Sequence, residues 1–303
     1  MASIGHIAVG MAAARIYRHP KVRLQPDPTC DVTPRPSIPS LAIWSALSLL
    51  PDVDVIGFGL GVKYEDEWGH RGATHSLAFS IALGLAIGLA ARLSTRSRFA
   101  AARIAAIAGA VLVSHGLLDT LTDGGLGCAL LWPFDLTRYF APWNPIPVAP
   151  IGWSFLSAYG FGVALTEVIL FSPAFWFALS PARTEASSRS TKWFLGLWVG
   201  LLGFLASGYS LGDGVLSTVL REDTEYASGY SEGSFRTITL GAADDDVRRL
   251  LGPPLSEVRS PGGAPTDVCW VYSRSPSQGA FRARGLCFSN GKVVELFRFW
   301  YFG

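Results

Sequence analysis

Six apolar stretches punctuate the first 220 residues, at about 4–17, 38–50, 74–91, 99–122, 151–179 and 193–217. A helix that crosses a bilayer needs about 20 apolar residues, within a range of about 17–25. The last two stretches meet that length outright, and 74–91 and 99–122 meet it with polar ends. The first two are short, which suits re-entrant segments or helices leaning against a bundle. The first run is expected to be retained rather than cleaved, because Met1–Gly5 lacks a basic stretch and His6 interrupts the apolar residues. Beyond residue 220 the period changes. Ala242–Leu251 has helical spacing and stops at Gly252-Pro253-Pro254. Val268–Tyr272, Ala283–Phe288 and Val293–Trp300 alternate as strands, with Ser289-Asn290-Gly291-Lys292 as a hairpin turn. The pattern predicts a mainly α fold: a polytopic membrane bundle of about six apolar helices over 1–220, then a small α+β domain over 221–303.

Charge divides the chain at the same place. Half the residues are apolar and 16% are charged, against about 25% charged in typical soluble domains. Residues 1–220 carry 28 charged side chains and the last 83 carry 20, so the front is about 13% charged and the tail about 24%. That asymmetry argues against disorder and against a single soluble globule. A net charge of +2 gives no electrostatic reason to expect nucleic acid.

The loops sort by sign. Loop 15–40 holds Arg15, Arg18, Lys21, Arg23 and Arg35; loop 92–103 holds Arg92, Arg96, Arg98 and Arg103; loop 180–192 holds Arg183, Arg189 and Lys192. The positive-inside rule puts all three in the cytoplasm. The alternate loops, 51–73 and 119–150, are acidic and face outward, as do both termini after six passes. Trp132, Trp143 and Trp153 then fall at the outer interface, and Trp176 and Trp193 at the inner one. Cys269 and Cys287 fall on strands that the turn order makes neighbours. They form a disulfide in an oxidising compartment, or else remain two buried thiols, while Cys30 and Cys128 have no evident partner.

Four of the five histidines gather on the outer side of this topology, and His19 alone sits in a basic loop. His6 lies at the outer end of the first run. His70 and His75 flank the start of the third, in His70-Arg71-Gly72-Ala73-Thr74-His75-Ser76. His115 and Asp119 are four apart, on one face of a helix. Asp52 and Asp54 follow the second run in Pro51-Asp52-Val53-Asp54. A mixed His/Asp set suits Zn²⁺, Mn²⁺ or Fe²⁺ better than Ca²⁺, and six or seven ligands suffice for one or two ions. The expected metal ligands are His6, Asp52, Asp54, His75, His115 and Asp119. His70 is a further ligand or the proton donor, and Arg71 is placed to hold a phosphate or carboxylate. With Asp54, these two make up the expected catalytic set. Glu167, inside the fifth run, is expected to be neutral or paired.

Gly5-His6, Leu49-Leu50-Pro51-Asp52-Val53-Asp54, the His70–Ser76 string and Ser114-His115-Gly116-Leu117-Leu118-Asp119-Thr120-Leu121-Thr122 resemble, in order and spacing, the YdjM-like family of membrane-bound, metal-dependent hydrolases. Gly124-Gly125 and Trp132-Pro133 extend the likeness to about residue 180. The resemblance implies an integral protein of a bacterial inner membrane with a hydrolytic metal centre. A looser similarity of His115 and Asp119 to zinc-dependent phospholipases C and nucleases implies phosphoester chemistry. Phe235–Leu240, Val247–Pro253, Trp270-Val271-Tyr272 and Phe288–Val293 resemble the strand, helix, aromatic strand and hairpin of the small SmpA/BamE-type module, which implies a protein partner for residues 221–303.

The leading expectation is a hydrolase whose site and tail lie outside the cytoplasm and whose substrate is a membrane lipid or lipid-linked phosphate. The same ligands also suit a metal-ion transporter with Glu167 as relay. They suit equally a structural membrane protein, stapled by metal, that recruits partners through its tail.

Overall fold

The computed structural model describes residues 3–17, 36–95, 97–180, 185–206, 211–259 and 268–301. The chain forms two compact units, Met1–Val215 and Leu216–Gly303. The first is helical. α1 (Ser3–Tyr17) and α2 (Ile38–Ser48) are followed by a 3₁₀ helix (Leu50–Leu60), a 3₁₀ turn (Ala73–His75), α3 (Leu77–Ser94) and α4 (Arg98–Thr120). After a second 3₁₀ turn (Gly152–Leu156) come α5 (Ala158–Leu170), α6 (Ser172–Leu179), α7 (Glu185–Ala206) and α8 (Leu211–Leu220), the last running across the boundary. Serines start four of these helices. Ser37, Ser76, Ser97 and Ser157 each accept the backbone amide three residues on, which satisfies a group the helix itself leaves unpaired.

α3 lies along α4 through small residues. Ser80, Gly84 and Gly88 are buried. A Cβ on Gly84 would come within 2.5 Å of Gly109 Cα, and one on Gly88 within 2.4 Å of Ala105 Cβ. Small residues four apart let membrane helices meet backbone to backbone. The opposite face of α3 exposes Ile81, Leu85, Leu89 and Leu93, a stripe too apolar to be left to water.

α3 and α4 are long and apolar enough to cross a membrane. Two bent pairs pass the same test jointly: α2 with the 3₁₀ helix, bent by 53°, and α5 with α6, bent by 62°. Length and composition thus give two to four crossings among the described residues, where the hydropathy pattern predicts about six. The reason is local. Pro173 sits in the first turn of α6, where its missing N–H and its ring end the preceding helix, so the run 151–179 is a bent pair, either one broken span or a re-entrant loop. The run 193–217 is divided between α7 and α8. Of the basic residues expected inside, Arg18, Lys21, Arg23, Arg35, Arg96 and Arg183 lie outside the described residues, as do His19 and Cys30.

Four of the basic residues expected inside, Arg15, Arg92, Arg98 and Arg103, share one end of the helices. Arg15, in the last turn of α1, donates to the Phe177 and Ser180 carbonyls at the end of α6. Arg103, near the start of α4, donates to the Ile16 carbonyl. Arg92 lies in the last turn of α3 and Arg98 opens α4. The far end of the α3–α4 pair is where the Leu50–Leu60 helix and the His70–Ser76 turn meet the last turns of α4.

The second unit is a small α+β fold: β1 (Glu225–Tyr226), α9 (Glu232–Thr237), α10 (Asp244–Leu251), β2 (Ser256–Arg259), β3 (Val268–Val271), β4 (Ser273–Arg274), β5 (Phe281–Ser289) and β6 (Lys292–Tyr301). β2-β3-β5-β6 form an antiparallel sheet, and β1 pairs with β4. Phe235, Val247, Leu251, Trp270, Leu286 and Phe288 belong to its core. The hairpin turn has Asn290 and Gly291 at φ 51° and 71°, the paired positive angles that suit tight hairpins. Phe235–Leu240, expected to be a strand, instead begins inside α9, because Ser231 caps the Ser234 amide and turns Phe235 into the core. Cys269 and Cys287 stand opposite each other in the β3–β5 register and are disulfide-bonded. Cys128 is a free, buried thiol.

Candidate metal centre

The centre is assembled from four short segments, each brought in by a helix end. Asp52 and Asp54 come from the 3₁₀ helix that Pro51 opens directly after α2. His70 and His75 come from the turn ahead of α3, and His115 and Asp119 from the last turns of α4. One glycine sets the fit between the last two segments. A Cβ on Gly116 would stand 2.2 Å from the His75 carbonyl oxygen, so the turn rests directly on the α4 backbone. His6, on α1, closes the cluster: its Nε2 is 3.2 Å from Asp119 Oδ1, and its ring stacks on His115 at 3.7 Å. His6, His70, Arg71, His75, His115 and Asp119 are all at most 1% exposed.

Hydrogen bonds fix which ring nitrogens carry protons. His115 Nδ1 is 2.7 Å from the Ser48 carbonyl, which only accepts, so Nδ1–H is the donor. Thr74 Oγ1 donates to Asp54 Oδ2 at 2.7 Å, leaving its lone pairs for His75 Nδ1–H at 3.0 Å. His75 Nδ1 also lies 3.2 Å from Asp54 Oδ2. Each ring, when neutral, therefore turns an Nε2 lone pair toward the other, and these nitrogens are 3.1 Å apart. Asp52 Oδ1 joins them at 3.4 Å from His75 Nε2 and 3.3 Å from His115 Nε2. Neither Asp52 oxygen accepts a hydrogen bond from any described residue.

Three converging acceptors repel unless a cation lies among them. Ligands about 2.0–2.1 Å from one tetrahedral zinc stand roughly 3.3–3.4 Å from one another, close to the separations found here. Asp119 completes the group, with Oδ2 3.7 Å from His75 Nε2; Asp52, His75, His115 and Asp119 together are compact enough for one ion. Each imidazole also donates its other nitrogen to an oxygen, as metal-bound histidines do. The donor set fits a divalent metal.

Asp54, His70 and His75 form a second compact group, but Asp54 is already engaged. Its Oδ1 accepts from His70 Nδ1 at 2.8 Å and its Oδ2 accepts from Thr74. That arrangement makes Asp54 a carboxylate that orients His70 and His75. Arg71 departs from expectation in the same way. Its Nη1 donates to the Gly124 carbonyl, its Nη2 to Thr122 Oγ1, and its Nε lies 3.1 Å from Asp119 Oδ2. With 0% exposure, it braces Asp119 and the 122–124 turn rather than reaching out to a substrate.

The loop groups respond to these surroundings. Burial pulls the His75 imidazole down, but Asp52 and Asp54 outweigh it and push it up to about 9, which marks a place where positive charge is favoured. Burial lowers His70, and Asp54 restores only part of the loss. Burial works against the Arg71 charge as well, yet the Asp119 carboxylate raises it further. Burial pushes the Cys128 thiol up to about 12, so it stays protonated.

All the expected site residues are thus brought to one cluster, with differing parts in it. Sequence reasoning missed the Ser48 carbonyl and Thr122, neither of which carries a residue-type signal for a metal centre. It passed over Thr74 although that residue stands inside the His70–Ser76 string.

Residues 1–211 match the family described as YdjM inner membrane protein. The chain belongs to that family. It is similar to the inner membrane protein YbcI of Escherichia coli (strain K12), 40% identical over 124 residues that make up 41% of this chain and 70% of the relative. No solved structure matches the chain. Membership of the YdjM family, together with the apolar helices, makes this a membrane protein. The stretch shared by the family includes every residue of the cluster.

Proposed function

We propose that the protein is a metal-dependent hydrolase of the bacterial inner membrane, acting at the extracytoplasmic face on a phosphoester such as a lipid-linked phosphate. The observation that carries this reading is the trio of Asp52 Oδ1, His75 Nε2 and His115 Nε2, with lone pairs converging at 3.1–3.4 Å. Asp52, His75, His115 and Asp119 would hold a divalent ion, with zinc the best fit and manganese or iron the alternatives. When bound, it supplies Lewis acidity and a water of lowered pKa. Asp54 holds His75 and His70 in place, and Arg71 and His6 hold Asp119. His70 is the group placed to pass a proton to a leaving oxygen.

The sidedness is supported by the basic residues at the opposite helix ends. It is also supported by the Cys269–Cys287 bond, which belongs to an oxidising compartment. A lipid substrate is supported by the exposed aromatic and apolar side chains of the loops on the cluster's side of the helices. Trp68, Phe134 and Trp153 are 54%, 90% and 89% exposed, and such residues settle at headgroup level. For residues 221–303, resembling an SmpA/BamE-type module, we propose a role in holding a protein partner.

The test is elemental analysis of the purified protein alongside hydrolysis of a panel of phosphomonoesters, phosphodiesters and lipid phosphates. Metal-dependent turnover that His115→Ala abolishes is expected. Stoichiometric metal with no turnover on any phosphoester, and with chelation lowering only the melting temperature, would make the metal a structural staple.

A further inference from the structure

Glu167 lies in the last turn of α5 with no exposed surface, in a segment otherwise short of charge. Its Oε2 accepts the Gly5 amide at 2.8 Å. α1 begins at Ser3, so this amide is one of the first four of the helix, which have no acceptor within it. Away from water such a group must find its partner elsewhere in the protein. A carboxylate at the positive end of the helix dipole is a favourable one. Gly5 is fixed from the other side as well, since a Cβ there would stand 2.4 Å from the Phe171 ring. The far end of α1 is tied to the same helical pair through Arg15 and the carbonyls of Phe177 and Ser180. α5 and α6 therefore grip α1 at both ends. The residue after Gly5 is His6, whose Nε2 meets Asp119 and whose ring lies on His115.

We propose that Glu167 is a positioning residue for the metal centre. By holding the amide end of α1, it fixes the height and rotation of His6, and through His6 the orientation of Asp119 and His115. The proposal rests on the metal-centre reading above. It explains why a carboxylate is kept inside an apolar helix at a distance from the ligands themselves.

The experiment uses full-length protein in detergent, with Zn²⁺ affinity measured by competition against a chromophoric chelator and the absorption bands of the Co²⁺-loaded protein recorded. Glu167→Ala is expected to weaken Zn²⁺ binding about 10- to 100-fold, the usual cost of losing an outer partner of a ligand, and to shift the cobalt bands. Glu167→Gln, whose amide oxygen still accepts from Gly5, should stay close to wild type. In a His6→Ala background Glu167→Ala should add no further loss, because the two act in series. Wild-type affinity and cobalt bands in Glu167→Ala, or an equal further loss in the His6→Ala background, would overturn the proposal. Should Glu167→Ala not fold, Glu167→Asp, which draws the carboxylate back by one methylene, is put through the same series with the same two outcomes. A wild-type protein that takes up no metal overturns the metal reading itself. Binding that Asp52→Ala abolishes and that both Glu167 variants leave untouched overturns the positioning role alone.

Discussion

No described residue hydrogen-bonds to either oxygen of Asp52, and its Oδ1 stands 3.3 and 3.4 Å from two ring nitrogens that carry lone pairs when the rings are neutral. Asp52→Asn keeps the shape of the side chain, removes its charge and supplies an N–H₂ donor within reach of those nitrogens. Two effects of opposite sign follow. With metal present, loss of the anionic ligand weakens binding; a hundredfold loss is about 2.7 kcal/mol. At free metal one hundred times the wild-type Kd, linkage stabilises the wild type by about 2.7 kcal/mol and the variant by only about 0.4 kcal/mol. For a unit of some 200 residues, 1 kcal/mol moves Tm by about 2–4 °C. The metal-induced rise in Tm should therefore be roughly 5–9 °C smaller in the variant. Without metal, and above about pH 9 where His75 is neutral, the order reverses, since the amide relieves the crowding of acceptors, and the variant should melt at or above the chelated wild type. Thermal unfolding in detergent, with chelator and then across a Zn²⁺ titration, reads both effects. A variant with the full metal-induced rise would refute the reasoning. So would a chelated variant melting well below the chelated wild type, because a protonated histidine would then be the cation at this point.

Gly84→Leu should separate α3 from α4, since even a Cβ would stand 2.5 Å from Gly109 Cα. A cost of about 1–3 kcal/mol or more is expected, read as lost monodispersity on size exclusion, whereas Leu85→Ala on the exposed face should leave the profile unchanged. In the second unit, burial pushes the Glu232 carboxyl up, but Arg284, 3.0 Å away, outweighs it and holds the group at about 2 against a usual 4.5. Its contribution is therefore complete above about pH 4.5 and is lost as pH falls toward about 2. With a third of Glu232 exposed, screening leaves about 1–2 kcal/mol. Hydrogen exchange of β5 amides, corrected for intrinsic rate, should show that loss in the wild type and not in Glu232→Gln; equal slopes would discount the ion pair. A reporter fused after Gly303 should be active outside the cytoplasm, and Cys269 and Cys287 should resist maleimide until reduced. Cytoplasmic activity with free thiols would reverse the orientation.

The second unit was legible because its signals are local. Asn290-Gly291 demands a tight turn, and Gly252-Pro253 ends a helix, whatever surrounds them. α9 was obscured because Phe235 suits a strand by type and only the Ser231 cap argues otherwise. In the first unit hydropathy located apolar segments but not their breaks. Pro173 interrupts the fifth run without making it less apolar, so a window average passes over it. The cluster was legible as a set of residue types on one side of the helices. The division of labour within it was not, because Asp52 and Asp54 differ only in what lies beside them. Thr74 and His70 engage one carboxylate, and nothing described engages the other. Arg71 reads as a phosphate ligand by type and becomes a brace only once Thr122 and Gly124 are brought to it.

Gly116 holds the His75 turn against the α4 backbone with no side chain in between. Side chains hop between rotamers and drift with temperature, whereas two backbones in contact have little play. The gap between His75 and His115 is thereby gauged by the main chain, as a machinist sets a spacing with a hard stop. Lipids that press on the outer face of α3 will move that helix and the turn ahead of it together. The tolerance of the ligand spacing is then independent of bilayer composition, so such a centre would keep one metal preference across membranes of different thickness.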